Sequence, residues 1–103
     1  MSGTVIVEPL AAGTITRTQV SASLASVTLL AANTGRRGAV IRNGDPAARL
    51  YVSLGAAAAT TVNAVYDLAP GASIPIPDQH TYEVRGIWAG AAVTGQASMA
   101  EVT

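Results

Sequence analysis

Short apolar runs alternate with turn residues along most of this chain. Between residues 49 and 55 an apolar residue recurs at every second position, so Leu50, Val52 and Leu54 fall on one side of a strand and polar residues on the other. Between residues 36 and 90, Gly, Pro, Asn or Asp closes each run, which is typical of short strands joined by tight turns. The pattern predicts strands at residues 15–20, 26–30, 38–43, 49–55, 65–68, 73–77, 82–89 and 96–102.

These elements predict an all-β fold, a single small β-sandwich or jelly roll of roughly eight short antiparallel strands with an extended N-terminal arm. We expect residues 1–14 to form the arm or an edge strand, and residues 15–103 to form the β-sandwich domain. Any helix should be limited to one turn near residues 56–59, because the β-branched residues that follow those alanines disfavour a longer one.

Turn residues and prolines refine the arrangement of these strands. The segment NGDP at residues 43–46 predicts a hairpin between the strands on either side of it. Gly86 interrupts the alternation of its strand and predicts a bulge there. Pro75 and Pro77 cannot donate ladder hydrogen bonds, so their strand should lie at a sheet edge or have its prolines facing outward. The expected core consists of Leu29, Val40, Leu50, Val52, Leu54, Leu68, Ile74, Ile76, Val84 and Ile87, with Trp88 at its margin.

The composition changes this picture by suggesting an assembly. The chain of 103 residues is 50% hydrophobic but only 12% charged, and much of the apolar fraction is alanine. A weakly charged, alanine-rich surface favours association, so we expect a homo-oligomer or an array on a larger body. The formal net charge of +0 argues against nucleic-acid and membrane partners. The residues near Met1 lack the basic stretch of a signal peptide, so we expect synthesis in the host cytoplasm.

No residue pattern in the chain predicts catalysis, a cofactor or a metal site. His80 is the single histidine, and Asp45, Asp67 and Asp78 lack the spacing of a calcium loop. The chain has no cysteine and therefore no disulfide. We expect no enzymatic activity, no catalytic residue, no cofactor and no metal.

A few residues are better candidates for contacts with other subunits. The apolar run Val5, Ile6 and Val7 could add a strand to a partner through the N-terminal arm. The doublet Arg36 and Arg37 could pair with carboxylates of a partner, although a solvated turn is the alternative. Tyr51 is predicted on the outer face of its sheet, where it could anchor an interface. The candidate interface residues are Val5, Ile6, Val7, Arg36, Arg37 and Tyr51.

Four segments in order, LLAANTGRRGAVIRN, ARLYVSLG, YDLAPGASIPIP and YEVRGIWAG, carry a family resemblance. Their order and spacing from Leu29 to Ala89 resemble a family of small structural proteins of tailed-phage virions. The resemblance implies a β-sandwich in the particle and no catalytic residue. The N-terminal arm of this chain is shorter than that of the fibre-bearing members of the family, which favours a stand-alone decoration role.

The resemblance therefore implies a non-enzymatic decoration (cement) protein that binds and stabilises the capsid shell, located in the virion. Its partners would be the major capsid protein or other virion subunits. Two alternatives stay open at this point. One is a head-fibre, spike-base or tail-associated module, and the other is a carbohydrate- or receptor-binding β-sandwich.

Overall fold

A computed structural model of the protein describes residues 13–77, 80–90 and 93–103. The described residues form strands and connecting segments without a helix, so no helix there is long and apolar enough to cross a membrane. Residues 56–59 are a bend and coil rather than a helical turn. The strands are β1 (Ile15–Ser21), β2 (Val27–Leu30), β3 (Gly38–Asn43), β4 (Arg49–Leu54), β5 (Tyr66–Leu68), β6 (Ser73–Ile76), β7 (Val84–Ala89) and β8 (Gln96–Val102).

The eight strands form two four-stranded sheets. Sheet A has the order β1-β8-β3-β6 and sheet B has the order β2-β7-β4-β5. Every paired neighbour is antiparallel. This interleaving of early and late strands across two sheets is the jelly-roll order, so the predicted all-β sandwich is confirmed, while residues 1–12 of the predicted N-terminal arm lie outside the described residues. The predicted edge position of the proline-bearing strand is also correct, because β6 ends sheet A.

The predicted hairpin at residues 43–46 is wrong, because β3 lies in sheet A and β4 in sheet B. The turn residues instead carry the chain from one sheet to the other. Asp45 is buried there, and its carboxylate accepts hydrogen bonds from the backbone N–H groups of Ala47, Ala48, Thr94 and Gly95 at 2.7–3.0 Å. These bonds, that from Ala48 first and that from Gly95 next, hold the pKa of Asp45 far below its ordinary value.

The core lies between the sheets and differs from the prediction in β3. Ile41 is fully buried, whereas Val40 is 46% exposed on the opposite side of the strand. The parity is reversed because Asn43 also points inward, where its side chain donates to the carbonyls of Ala48 and Leu68, both at 2.9 Å. The buried amide is satisfied by these two carbonyls, so the inward-facing residues of β3 are Ala39, Ile41 and Asn43. The buried apolar residues are Leu29, Leu30, Ala39, Ile41, Ala48, Leu50, Val52, Leu68, Ile76, Val84, Trp88, Ala97 and Met99.

Gly86 does not form a bulge, because β7 pairs with β4 in continuous register through it. The irregularity lies in the neighbouring strand β2, where the register shifts between Thr28 and Leu30 and both Leu29 and Leu30 become buried. A Cβ on Gly86 would lie 2.7 Å from Leu29 Cδ1, so the glycine makes room for the extra leucine. Because the alternation of β7 is uninterrupted, Val84, Gly86 and Trp88 all face inward, and Ile87 is only partly buried.

Trp88 occupies the middle of the core rather than its margin. Its side chain is almost completely buried, and its indole N–H donates to Asn43 Oδ1 at 3.0 Å. The amide of Asn43 thus joins the tryptophan of sheet B to the end of β3 in sheet A. Burial of this ring excludes Trp88 from any surface contact.

Candidate assembly surface

The outer face of sheet B is covered by the chain itself. The segment at residues 55–64 leaves β4 and reaches Ser26, next to β2, where the Ala59 N–H donates to Ser26 Oγ at 2.8 Å. Ala59 is 2% exposed, and the outward-facing Ser53 of β4 is 6% exposed. Ser53 Oγ has no hydrogen-bond partner among the described residues. This connection, called the covering loop below, closes part of the face.

Ion pairs neutralise the rest of that face. Arg85 donates to Glu83 at 2.7 Å and also to the side chains of Ser26 and Thr28, each at 3.1 Å. The hydroxyl of Thr28, followed by the Arg85 guanidinium, lowers the pKa of the Glu83 carboxyl. On β4 and β5, Arg49 and Asp67 form a second pair at 2.7 Å. Each arginine on this face therefore has a carboxylate partner.

Tyr51 lies on this same outer face, as predicted from the alternation in β4. It stands opposite Asp67 of β5 and Ile87 of β7, and it is half-buried. An interface role for Tyr51 stays a prediction.

The outer face of sheet A carries positive charge without a carboxylate among the described residues. Register and alternation place Arg17 of β1 and Arg42 of β3 on this face, two strands apart, and both are exposed. Neither forms an ion pair with a described residue. Ile15 and Val40 stand beside them with 61% and 46% of their surfaces exposed. The face is thus apolar, cationic and uncovered by the described chain.

Among the described strands, four form the edges of the two sheets, and β1 is the longest and most regular of these four. β2 has four residues and a register shift, β5 has three residues, and β6 contains Pro75. β1 has seven residues without proline and pairs with β8 in unbroken register. Natural proteins usually blunt such an edge, so a long regular one indicates a site for an added strand.

A groove runs between β1 and β2 where the edges of the two sheets separate. Its volume is about 410 Å³. Thr16, Thr18 and Val20 of β1 line one side, and Leu29 and Leu30 contribute to the other. Of the inward-facing side chains of β1, Thr16 and Thr18 are exposed, whereas Val20 is partly buried against the core.

The adjacent arginines 36 and 37 occupy different environments. The Arg36 guanidinium is buried, bonds to Glu101 at 2.6 Å and donates to the carbonyls of Ala31, His80 and Tyr82 at 2.5–2.9 Å. Neither the solvated turn nor the partner contact predicted for Arg36 matches this position, because its donors are used within the fold. The local sequence gives no signal for the ion pair, since Glu101 lies 65 residues further along the chain.

Arg37 is exposed and donates to the main-chain oxygen of Thr103 at 2.8 and 3.2 Å, close to Gly13 and the start of β1. It remains accessible to a partner. The remaining predicted interface residues, Val5, Ile6 and Val7, lie outside the described residues.

The polar groups considered for chemistry are not brought together. Among residues 13–77, 80–90 and 93–103, no group of three or more His, Asp or Glu side chains could hold a metal ion. His80 packs edge-to-face against Tyr82, with ring centroids 5.8 Å apart. Asp45 is used by the backbone, Asp67 pairs with Arg49, and Asp78 lies outside the described residues.

Comparison with known proteins found no family model, curated protein or solved structure that matches this chain.

Proposed function

We propose that this protein is a non-catalytic structural subunit of a tailed-phage particle, a decoration protein that binds and stabilises the capsid shell. The observation that carries the proposal is the difference between its two outer faces. Sheet B carries the covering loop and pairs its arginines with carboxylates, whereas the outer face of sheet A offers Arg17 and Arg42 beside exposed apolar residues. Exposed apolar residues beside arginines are a composition that interfaces favour.

The chemistry of this face favours an acidic protein surface as the partner. Arginine pairs bidentately with carboxylates, and Val40 and Ile15 supply apolar area between the charges. Two arginines are too few for the basic patch that nucleic acid requires. The resemblance of the segments from Leu29 to Ala89 to phage virion proteins supplies the identity of the partner, which is the major capsid protein or another virion subunit.

The first experiment asks whether the chain is part of a particle. Phage particles from the organism that encodes the chain are purified by density gradient, and each fraction is analysed by quantitative mass spectrometry. We expect the chain to band with the major capsid protein in a fixed ratio. Recovery only in the particle-free fractions would overturn the proposal.

The second experiment tests the face. Particles made without this chain are incubated with the purified wild type, with an Arg42→Glu variant on sheet A, or with Arg49→Glu as a matched control on sheet B. We expect Arg42→Glu to lose about ten-fold in binding, because a favourable charge becomes repulsive, and the control to bind nearly as the wild type does. Equal losses in both variants would exclude sheet A as the docking face.

A further inference from the structure

We propose that the outer edge of β1 binds residues 4–8 of a second copy of this chain as an added antiparallel strand. This pairing would link copies directly. It does not depend on the proposed function, because it concerns only what this chain does to itself. It is carried by the hydrogen-bonding pattern of β1, by the groove beside it and by the sequence TVIVE at residues 4–8.

At every second residue, the backbone of β1 has hydrogen-bonding groups without a partner among the described residues. Thr14 O accepts from Thr103 N at 2.9 Å, and Ala22 N donates to Gly95 O at 3.0 Å, so even-numbered residues bond to β8. In an antiparallel ladder the intervening residues point their N–H and C=O groups the other way. The residues that present these groups to the open edge are Ile15, Arg17, Gln19 and Ser21.

The two faces of β1 set different requirements for an added strand. On the inner side, Thr18 and Val20 border the groove above Leu29 and Leu30, which suits small apolar side chains. On the outer side, Arg17 has no carboxylate partner among the described residues. A fitting strand therefore carries apolar residues at one parity and an acidic residue at the other.

Residues 4–8 meet both requirements in one register. If Glu8 lies opposite Arg17, then Val7 lies opposite Thr18 and Val5 opposite Val20, so both valines face the groove. Glu8 is the only acidic residue among the first 44.

Pro9 then lies opposite Thr16, whose backbone groups already bond to β8. The missing N–H of the proline is therefore not needed at that position.

The added strand comes from a second copy because the chain cannot easily turn back on itself in this register. A hairpin with these pairs would have residues 12 and 13 as its two-residue loop. A two-residue turn is closed by a hydrogen bond between its flanking residues, here 11 and 14, but Thr14 bonds in the direction of β8, where its oxygen accepts from Thr103 N. A type II′ turn needs a positive φ at residue 12, which is alanine. Residues 9–12 of another copy can instead span about 13 Å to reach the edge.

Disulfide cross-linking tests the register, because the native chain contains no cysteine. Two single variants, Val7→Cys and Thr18→Cys, are mixed as full-length proteins under oxidised glutathione. Directly opposed residues at a non-hydrogen-bonded pair lie about 4.5 Å apart between Cα atoms, within disulfide range. We expect a mixed disulfide dimer in roughly ten-fold excess over that formed by Ile6→Cys with Thr18→Cys, whose side chains face opposite sides.

Each alternative arrangement gives a different product and overturns the proposal. A Val7→Cys plus Thr18→Cys double variant that forms only a monomeric internal disulfide would show that the strand comes from the same copy. A disulfide dimer of Thr18→Cys alone would indicate that two β1 strands pair with each other. No excess of the mixed dimer over the control would exclude the register.

Charge reversal provides a second, independent measurement by sedimentation equilibrium. We expect Glu8→Arg and Arg17→Glu each to weaken self-association by about three- to ten-fold, and the two changes in one chain to restore it to within about two-fold of the wild type. Additive losses in the double variant would show that the two residues do not face each other.

Discussion

The outer faces of the two sheets are built on the same kind of strand but are completed differently. Across sheet B the chain lays the covering loop and pairs Arg49 with Asp67 and Arg85 with Glu83. Across sheet A the described chain adds nothing, and Arg17 and Arg42 stand without carboxylates. The formal net charge of +0 therefore goes together with an uneven distribution of charge between the two faces. Charge summed over a sequence says little about charge on a given face.

The largest expected difference in stability is between variants of two adjacent residues, the buried Arg36 and the exposed Arg37. Arg36→Ala should cost about 3–5 kcal/mol of unfolding free energy, because Glu101 loses its buried partner and three carbonyls lose their donor. Arg37→Ala should cost less than about 0.5 kcal/mol. Urea unfolding followed by tryptophan fluorescence measures both. Similar losses in the two variants would mean that Arg37 also stabilises the fold and would contradict its assignment as a residue accessible to a partner.

A second pair of variants compares the two outer faces directly. Arg85 of β7 and Arg42 of β3 both point outward from inner strands of their sheets. We expect Arg85→Ala to lower the unfolding free energy by about 1–2 kcal/mol, because it releases Ser26, Thr28 and Glu83. Arg42→Ala should change it by less than about 0.5 kcal/mol, again measured in urea. A reversed order would contradict the assignment of sheet A as the open side.

Acid should destabilise the fold by protonating two carboxylates, Glu83 on the outer face of sheet B and Asp45 in the segment that joins the two sheets. The folded-state pKa values of Asp45 and Glu83 are both lowered. Their stabilisation is therefore complete above the unfolded-state pKa values, near 4, and is lost as the pH falls through the lower folded-state values. The urea midpoint should fall between pH 5 and about 2, and Glu83→Gln should reduce part of that fall. An unchanged slope in that variant would assign the whole effect to other carboxyls.

The smallest effect is expected under the covering loop. Ser53 Oγ is buried without a partner among the described residues, so Ser53→Ala removes a desolvated hydroxyl and loses no observed bond. We expect the unfolding free energy to stay constant or to rise by up to about 1 kcal/mol. Thermal unfolding against the wild type measures the change. A clear loss of stability would indicate that the hydroxyl has a partner in solution.

Strand positions followed from the sequence far better than strand partners did. Period-2 alternation and turn residues located β3 and β8 at their observed bounds. The hairpin prediction failed because NGDP looks the same whether it turns a chain back or carries it to another sheet. Only the long-range bonds from Thr94 and Gly95 to Asp45 distinguish these cases.

Two errors in the predicted core had signals that were available. Arg42 shares its parity with Val40, so a solvated Arg42 requires Val40 to face outward as well. In β7, the sequence predicts a bulge at Gly86, but a glycine can also occupy an inward position in a regular strand where a neighbouring side chain fills the space of its missing Cβ. The exposed edge of β1 could not be predicted, because its neighbours in space come from the far end of the chain.

The position of β8 determines when this chain can fold. β8 lies between β1 and β3, so sheet A has no continuous ladder until the last strand of the domain has left the ribosome. Long-range pairing of this kind folds slowly compared with local structure. Until β8 pairs with β1 and β3, the strand edges that it will join stay unpaired in the nascent polypeptide. The rate of synthesis and the access of chaperones to those edges should therefore govern the yield of native protein.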